Sequence, residues 1–505
     1  MKFWRKSPET LAAIIALAMF VTLLPGISGC SVNNSSFSRV LDTIQYGGSY
    51  PLSEGAEFEA RRFDTVVARY ANAVETSQLN HFRDVYRRVR HNYVQELGDA
   101  VLIDAAIDGV TSFEFEGEQG TIASRTVVEV GLDAMMASLD PHSSYMNSEE
   151  FNESMISTRG QFGGLGIEIT LKDEIVMVVA PIESTPAERA GILAGDLITH
   201  VDGEDIRGKG MIYAVSLMRG EPGSDIVVTI QRGDLDPFDI ELERTIIKVR
   251  AVRWHIEDDI GYVRVTRFSE RVEPGIVKAM NDIHAQLGNK LSGIVLDLRN
   301  NPGGLLDQSL ILADAFLENG KIVSIKGRNG ANERSHSASP GDMASGLPMV
   351  VLINGGSASA SEIVAGALQG HGRATIMGTR SFGKGSVQTI TPLPLEGALR
   401  LTTSLYYAPS GRVIQAYGII PDIVLKADTK EAKEEIRREA DLPHSLLGSN
   451  EVTRNNAPVV LSQTCANELD IEDENTDIEL ACALKFLRSG SSAEFLSSVS
   501  IQPNS

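Results

Sequence analysis

Three serines and a lysine near the middle of the chain have the types and spacing needed for nucleophilic catalysis. Ser357, Ser359 and Ser361 alternate with small residues, and Lys384 follows between two glycines. A serine hydroxyl becomes a good nucleophile when a nearby base takes its proton, and an uncharged lysine can be that base. By position alone the three serines are close to equal candidates.

Ser359 stands where the pattern predicts the start of a helix. The apolar run Val350–Ile353 predicts a strand, and Ser359-Ala360-Ser361-Glu362 matches a capping box. A serine in this place can simply satisfy the free N–H groups of the helix. It can also lie where those groups and the helix dipole stabilise negative charge, with the Ala360 amide as an oxyanion donor. Both interpretations stay open.

Lys384 could act as a base if it loses its proton. Its flanking glycines let the backbone approach another element closely, and burial lowers the pKa of a lysine. Gln388, four residues further on, could hydrogen-bond the amine and orient it. The alternative is an exposed loop lysine.

A competing motif overlaps this lysine. Ser381-Phe382-Gly383-Lys384 is a Ser-x-x-Lys, which in penicillin-binding proteins opens a helix and brings both side chains together. Glycines on both sides of Lys384 disfavour a helix here. The partner motifs Ser-Asp-Asn and Lys-Thr-Gly are absent from the sequence, so we disfavour this alternative.

A glycine pair follows another predicted buried strand, in the segment Asp297–Gly304. Gly303 and Gly304 could expose backbone N–H groups to an anion and form the second half of an oxyanion hole. The same pair could equally make a tight strand-to-helix turn. The pattern does not distinguish between the two glycines.

Composition narrows the class of protein. At 505 residues the chain is long enough for several domains, and its net charge of −21 argues against nucleic acid as a partner. The sequence has no zinc-type cluster of Cys and His and no His-Glu-x-x-His motif, so we expect neither a metal nor an organic cofactor.

The N-terminus resembles a bacterial export signal. Basic residues precede the apolar run Leu11–Leu24, which is short for a membrane span, so we predict a signal peptide over residues 1–29. Ile27–Cys30 resembles a lipobox, which predicts a lipid on Cys30; a plain secretory signal is the alternative. Ser31 hints at delivery to the periplasmic face of an outer membrane. Residues 30–78 are predicted to be a tether.

The predicted export bears on whether the two remaining cysteines are oxidised. Cys465 and Cys482 both lie near the C-terminus, and an oxidising compartment permits a disulfide between them. Two free thiols are an equally good interpretation.

The rest of the chain divides by pattern into four regions. Residues 79–150 are predicted to be helical, from apolar periodicity in Leu79–Asp108 and Val127–Leu139, with a loop between them. Residues 155–235 contain a glycine loop entering an alternating strand and later a helix, and they resemble a PDZ domain. Such a domain binds a peptide by strand addition and its C-terminal carboxylate through loop amides. Alternating strands and helices in 236–426 predict a layered α/β core, and 427–505 a charged helical extension.

The order of these motifs is similar to that of the carboxyl-terminal processing peptidases, which are tail-specific serine proteases with a PDZ domain. The resemblance covers about Leu79 to Leu425. The matching stretches are Leu139–Met146, Phe162–Ile167, Asp297–Gly304, Gly356–Glu362, Phe382–Gln388, Leu401–Thr403, Tyr406–Arg412 and Gly418–Asp422. A segment near residues 111–127 and the cysteine pair depart from the family pattern.

This resemblance implies a fold and a set of roles. The fold would be multi-domain α/β, with an N-terminal helical region, a PDZ-type β domain and a layered serine-protease core of the crotonase or Clp-protease kind. The nucleophile would be Ser359, the base Lys384, and Gln388 its support. The oxyanion donors would be Ala360 and one glycine of the Gly303–Gly304 pair. Leu165 and Gly166 would hold the substrate tail.

The implied activity is cleavage of exported proteins that expose a C-terminal tail. Such an enzyme could form homo-oligomers. The rival hypothesis is a catalytically inactive adaptor that only captures tails through its PDZ domain.

Overall fold

The computed structural model describes residues 51–115, 120–330, 333–426, 437–448, 457–466 and 477–502. The predicted signal peptide, Cys30 and the first part of the predicted tether lie outside these ranges. Within them, no helix combines the length and apolar character that a membrane crossing requires.

The N-terminal region is a bundle of helices around its own apolar core. Its helices are α1 (Glu54–Tyr70), α2 (Thr76–Asn92), α3 (Asp99–Ser112) and α4 (Ser124–Ala137). Helix α1 lies inside the segment predicted as a tether, so that prediction is wrong for residues 54–70. Ala56, Ala60, Phe63 and Val67 recur at helical spacing and are buried, which outweighs the polar start of the segment. The single helical pattern predicted over 79–108 is two helices separated by a turn.

A short strand and a helix connect this bundle to the next domain. They are β1 (Ser144–Met146) and α5 (Ser148–Arg159). Asn147 and Glu150 form a complete capping box at the start of α5, yet none of its residues is fully buried. Helix α5 therefore packs loosely compared with the bundle helices.

The predicted PDZ domain is built on an antiparallel sheet in the order β3-β4-β5-β7-β8, with β6 paired to β5 and a separate ribbon of β2 and β9. Strand β3 is an edge of that sheet, as strand addition of a peptide requires. The last strand, β8, pairs with β7 and lies beyond the predicted boundary at residue 235. The elements are β2 (Gln161–Gly164), β3 (Ile167–Lys172), β4 (Ile175–Pro181), α6 (Pro186–Arg189), β5 (Leu197–Val201), β6 (Glu204–Asp205), α7 (Met211–Met218), β7 (Asp225–Gln231), β8 (Phe238–Glu243) and β9 (Thr245–Lys248).

The α/β core confirms the predicted layered architecture. Its main sheet runs β10-β11-β12-β15-β16-β19-β20-β21, parallel from β11 to β20, and a second sheet runs β1-β18-β13-β14 with β17 paired to β18. The strands are β10 (Val252–Glu257), β11 (Ile260–Val265), β12 (Gly293–Asp297), β13 (Lys321–Gly327), β14 (Arg334–Ser337), β15 (Met349–Ile353), β16 (Thr375–Gly378), β17 (Ser386–Pro392), β18 (Ala398–Tyr407), β19 (Ile423–Lys426), β20 (Val459–Leu461) and β21 (Ile501–Gln502).

Helices cover both faces of the main sheet. The face that packs on the second sheet carries α8 (Val272–Leu287), α9 (Leu306–Asp314) and α10 (Ala360–Gly370). The opposite face carries α11 (Gln463–Ala466), α12 (Ile478–Arg488) and α13 (Ser492–Ser497). Residues of β12 and β15 alternate between these two apolar clusters, which explains why both strands are apolar throughout.

The C-terminal extension is more than the helical segment that the sequence predicts. Strands β20 and β21 extend the main sheet, β20 in parallel beside β19. Short strands of three and two residues carry too little periodicity to be found by pattern. Cys465 of α11 and Cys482 of α12 form a disulfide, the alternative that matches an oxidising compartment.

Candidate active site

A cleft of about 650 Å³ is lined by residues of the core, of helix α5 and of the segment around β1. All six residues predicted to take part in the chemistry line it: Gly303, Gly304, Ser359, Ala360, Lys384 and Gln388. These residues come from distant parts of the sequence. The carboxyl ends of β12 and β15 and the start of β17 bring them together.

The structure separates the three candidate serines. Ser357 is buried and donates its hydroxyl to the Leu298 carbonyl oxygen at 2.8 Å, and Ser361 is buried and donates to that of Asn301 at 2.9 Å. Both hydroxyls hold the glycine-bearing loop after β12. Ser359 instead lines the cleft. Ser357 and Ser361 therefore have structural roles in this packing.

Ser359 lies at the N-cap of α10 in a strained backbone conformation. Its φ of 55° is rare for a residue other than glycine, and such strain is found most often at functional sites. The next amide, that of Ala360, is the first of the helix. In the ranges described, no acceptor lies within hydrogen-bonding distance of it.

Lys384 is half-buried in the loop before β17. Burial lowers the pKa of Lys384, and the positive charge of Arg400 acts in the same direction, whereas Glu439 and Asp140 oppose them. A lysine with a lowered pKa has a larger neutral fraction near neutral pH, which is the form that accepts a proton. Glycine is required beside it, because a Cβ on Gly385 would lie 2.2 Å from the Gln415 backbone nitrogen.

Gln388 is held by hydroxyl groups. Its side-chain N–H₂ donates to Ser386 Oγ at 2.9 Å and to Thr402 Oγ1 at 3.2 Å. The Thr402 hydroxyl in turn donates to Asp140 Oδ1 at 2.9 Å. These bonds use only the N–H₂ group, so the amide oxygen of Gln388 can accept a hydrogen bond from another group.

The two glycines of the predicted oxyanion loop differ. The Gly303 N–H donates to Asn301 Oδ1 at 2.9 Å, and a Cβ on Gly303 would lie 2.8 Å from Ser359 Cβ. The Gly304 N–H, in contrast, has no partner among the described residues. The free amides beside Ser359 are therefore those of Gly304 and Ala360, while Gly303 allows the two loops to approach.

Glu362 has a larger role than the helix cap that its spacing predicts. It is fully buried, and its carboxylate accepts the backbone N–H groups of Ser359, Gly383 and Lys384 and the Ser381 hydroxyl, at 2.6–2.9 Å. Burial raises the pKa of Glu362 to about 7 against the effect of these donors. One side chain thus ties the backbone of the candidate nucleophile to that of the candidate base.

The Ser381-x-x-Lys384 alternative finds no support in this geometry. Ser381 is buried, and its hydroxyl donates to Glu362 Oε1 and accepts the Ile419 N–H, both at 2.6 Å. The segment 381–385 is not helical. Ser381 helps to hold the loop of Lys384 and does not line the cleft.

Two further groups near the site were missed from the sequence. Tyr406 is buried, contacts the Ser359 side chain and donates its hydroxyl to the Lys384 carbonyl oxygen. Arg299, just before the oxyanion loop, bridges buried Asp297 to Asp477 and Glu479 at distances of 2.5–3.0 Å. Buried and less buried side chains alternate along β18, and this pattern could have indicated Tyr406. Nothing in the sequence indicated the partners of Arg299.

In the PDZ domain, Leu165 and Gly166 form the turn between β2 and β3. The Leu165 side chain is buried in the domain core, and Gly166 has a φ of 80°. A Cβ on Gly166 would lie 2.3 Å from Thr185, so only glycine fits. Neither backbone N–H of this pair has a partner in the part of the chain that is described. Two free amides in one turn form a concave anion site of the kind that receives a terminal carboxylate.

No group of three or more His, Cys, Asp or Glu residues in the described ranges is arranged to hold a metal ion.

Comparison with known proteins agrees with this geometry. The model of peptidase family S41 matches residues 259–425, and a PDZ domain model matches residues 177–232. A carboxy-terminal-processing protease of Bartonella bacilliformis is 50% identical over 356 residues, covering 70% of this chain and 76% of that protein. A Staphylococcus aureus (strain COL) protein named "Probable CtpA-like serine protease" is 32% identical over 360 residues, covering 70% and 66%.

Among solved structures, the photosystem II D1 C-terminal processing protease is 28% identical, with a TM-score of 0.42, over 70% of this chain and 94% of that one. The match to family S41 and the relative from Bartonella bacilliformis show that the chain is a serine-type peptidase. It belongs to peptidase family S41 and carries a PDZ domain.

Proposed function

We propose that this chain is an exported, lipid-anchored endopeptidase that recognises exposed C-terminal tails and cleaves them with Ser359, Lys384 and Gln388. The observation that carries the proposal is the position of Lys384. It is half-buried, its pKa is lowered, and it lines the same cleft as a strained serine at a helix N-terminus. A serine beside a neutral base is the arrangement that acyl transfer needs.

In the proposed reaction, neutral Lys384 accepts the hydroxyl proton of Ser359 as its oxygen bonds to the peptide carbonyl carbon. The carbonyl oxygen becomes an oxyanion and accepts the N–H groups of Ala360 and Gly304. Lys384 then gives its proton to the leaving amine, the C–N bond breaks, and an acyl-enzyme remains. Water gives a proton to Lys384 as its oxygen bonds to the ester carbon. The bond between this carbon and the Ser359 oxygen then breaks, Ser359 takes the proton back from Lys384, and the new C-terminus is released. Gln388 accepts from the Lys384 amine and orients it.

The PDZ domain would select the substrate. The free amides of Leu165 and Gly166 suit a terminal carboxylate, and edge strand β3 suits an extended tail. The relative from Bartonella bacilliformis is named for carboxy-terminal processing, which agrees with this role. The expected substrates are exported proteins with exposed, mostly apolar tails.

The Cys465–Cys482 disulfide supports export, since disulfides persist in oxidising compartments. We place the enzyme at the periplasmic face of a bacterial outer membrane, held by a lipid on Cys30. Metabolic labelling with a radioactive fatty acid should mark the wild type and not Cys30→Ala. A labelled Cys30→Ala variant would contradict the anchor without affecting the proposed chemistry.

Ser359→Ala and Lys384→Ala should each abolish cleavage of a partly unfolded protein while the circular dichroism spectrum stays unchanged. Mass spectrometry of the digests should find the product peptides of the wild type missing in both variants. Full activity in Ser359→Ala would overturn the mechanism. A wild type that retains the substrate protein whole would instead indicate the inactive adaptor.

A further inference from the structure

Two arginines, Arg267 and Arg400, line the same cleft as Ser359 and Lys384. Arg267 follows β11 and is exposed to the cleft, and Arg400 lies on β18 and is half-buried. Arg400 contributes to the lowered pKa of Lys384, but neither arginine has a role in binding the substrate in the reaction described above. Both extend a large positive group toward the space in which a polypeptide substrate would lie.

Neither arginine forms an ion pair with an acidic side chain in the part of the chain that is described. The side-chain hydrogen bond of Arg400 goes to the Ser154 hydroxyl of α5 at 3.1 Å. The chain has 67 acidic residues against 46 basic ones, so an acidic partner is easily available to most arginines. Arg299, for example, contacts three carboxylates.

Two neighbouring cations without an anionic partner are energetically unfavourable. Burial lowers the pKa of Arg400; Glu150 opposes this effect, and the nearby charge of Arg267 adds to it. A half-buried cation beside another cation is less stable than one with an anionic partner. An anion that enters the cleft would therefore relieve both the burial cost and the repulsion.

The surroundings suit a carboxylate. Arginine presents a planar set of N–H donors that matches both oxygens of a carboxylate, which makes it more selective than a point charge. Ser154 and Thr158 also line the cleft, and their hydroxyl groups can donate to remaining lone pairs. Asp307 also lines the cleft, but it forms no ion pair with either arginine.

We propose that Arg400 and Arg267 form a subsite that binds a carboxylate of the polypeptide lying in the catalytic cleft. The carboxylate comes from an Asp or Glu side chain near the scissile bond or from the substrate's own C-terminus. This subsite rests on the proposed function, because it acts on a chain that is bound for cleavage. It adds a preference for acidic substrates that the tail-binding PDZ domain does not supply.

The test compares matched peptides that contain one cleavable bond and a fluorophore–quencher pair. Glu or Gln is placed in turn at each of the three positions on either side of that bond, and every peptide is made with a free and an amidated C-terminus. At one position the wild type should cleave the Glu peptide with a kcat/KM about tenfold higher than the Gln peptide, as expected for a close charge pair. The ratio should fall as salt concentration rises.

Arg400→Gln should bring this ratio close to one, and Arg267→Gln should lower it in part. Each ratio is formed within one variant, so a general loss of activity cancels. Arg253→Gln is the matched control, since Arg253 is exposed on β10 and does not line the cleft; its ratio should equal that of the wild type. If Arg400→Gln does not fold, Arg267→Gln still tests the subsite, because its side chain is exposed.

The outcomes separate the subsite from the proposed function. A preference that follows the free C-terminus assigns the terminal carboxylate as the ligand. Equal cleavage of all matched peptides, or a ratio unchanged in both arginine variants, overturns the subsite. If the subsite is overturned but the wild type still cleaves the amidated Gln peptide and Ser359→Ala does not, the proposed function stands. A wild type that cleaves no peptide overturns the function itself.

Discussion

The two sides of the cleft are held by buried charges of different kinds. One side carries the proposed nucleophile, Ser359, and we call it the nucleophile side. There Glu362 is fully buried and accepts four hydrogen bonds, none from a cationic side chain. The other side carries the glycine pair of the proposed oxyanion hole, and we call it the oxyanion side. There Asp297 is fully buried and paired with Arg299, which also contacts Asp477 and Glu479 near the C-terminus. The first arrangement is confined to the core, and the second connects the core to the C-terminal extension.

The pKa values show the physical difference. Burial raises the pKa of Glu362 to about 7, because the hydrogen bonds to it do not fully replace hydration. Burial also acts against ionisation of Asp477, but the Arg299 guanidinium outweighs it and holds the pKa of Asp477 below its ordinary value. The nucleophile side is therefore tuned by hydrogen bonds at close range, whereas the oxyanion side is stabilised by charge pairing over a long sequence separation.

The largest effect is expected on the nucleophile side. Glu362→Gln leaves one acceptor oxygen and adds an N–H₂ that faces N–H donors, so the loops of Ser359 and Lys384 lose their common anchor. We expect kcat to fall about 100-fold, as for a small misplacement of reacting groups. The free energy of unfolding should fall by about 2–4 kcal/mol. Peptide cleavage and urea unfolding measure the two quantities.

Glu273→Gln serves as the control for this change, because Glu273 is exposed in the first turn of α8. It should leave both quantities unchanged. If Glu362→Gln kept the wild-type kcat, the carboxylate would be a helix cap alone, and the contrast between the two sides of the cleft would be lost.

A smaller effect is expected when the oxyanion side loses its C-terminal partners. Asp477→Asn combined with Glu479→Gln removes both carboxylates that contact Arg299 outside the core, and Asn keeps the N-cap that Asp477 provides for α12. Arg299 retains Asp297, so the loop should loosen without unfolding. We expect kcat to fall about tenfold with KM nearly unchanged, less than the loss of an oxyanion donor itself. A change in KM alone would contradict this role.

The disulfide should matter less than the carboxylates, because it acts on the oxyanion side only through α12. The bond between Cys465 and Cys482 closes a loop with a sequence separation of 17. Its removal in the double alanine variant should lower the free energy of unfolding by about 3 kcal/mol. The loss of kcat should be smaller than in the Asp477 and Glu479 variant. Urea unfolding and peptide cleavage measure the two quantities, and each single alanine variant, which also lacks the bond, is the control. A loss of kcat equal to or larger than that of the Asp477 and Glu479 variant would show that the disulfide acts on the site directly.

These expectations also show what the sequence could predict. Strands β11, β12, β15 and β16 of the main sheet follow from short apolar runs, and the position of Ser359 follows from a local capping pattern. The spacing of Glu362 from Ser359 was visible too, but its other partners, Ser381, Gly383 and Lys384, lie in a loop that only the folded core brings near. Local patterns carry no information about such contacts.

The oxyanion side was harder to predict for the same reason. Arg299 and Asp477 are 178 residues apart, and the strands that bring the C-terminal extension to the sheet are too short to show a period. The tether was misassigned because a polar start hid the apolar spacing of α1. The choice of Ser359 over Ser357 and Ser361 came from family resemblance, and the buried partners of the other two hydroxyls now supply a physical reason.

The smallest effect concerns Arg400, a cation on β18 that lines the same cleft. Arg400 is among the charges that lower the pKa of Lys384. In the proposed mechanism neutral Lys384 is the active form, so kcat/KM should rise with pH as the amine loses its proton. Arg400→Gln removes a positive neighbour, so the pKa of Lys384 should rise and the midpoint of the profile should move to higher pH. The pH profiles of kcat/KM are measured on the amidated Gln peptide. Arg253→Gln is the control, and its profile should keep the wild-type midpoint. An unchanged midpoint in Arg400→Gln, or a shift to lower pH, would contradict this effect of the Arg400 charge on Lys384.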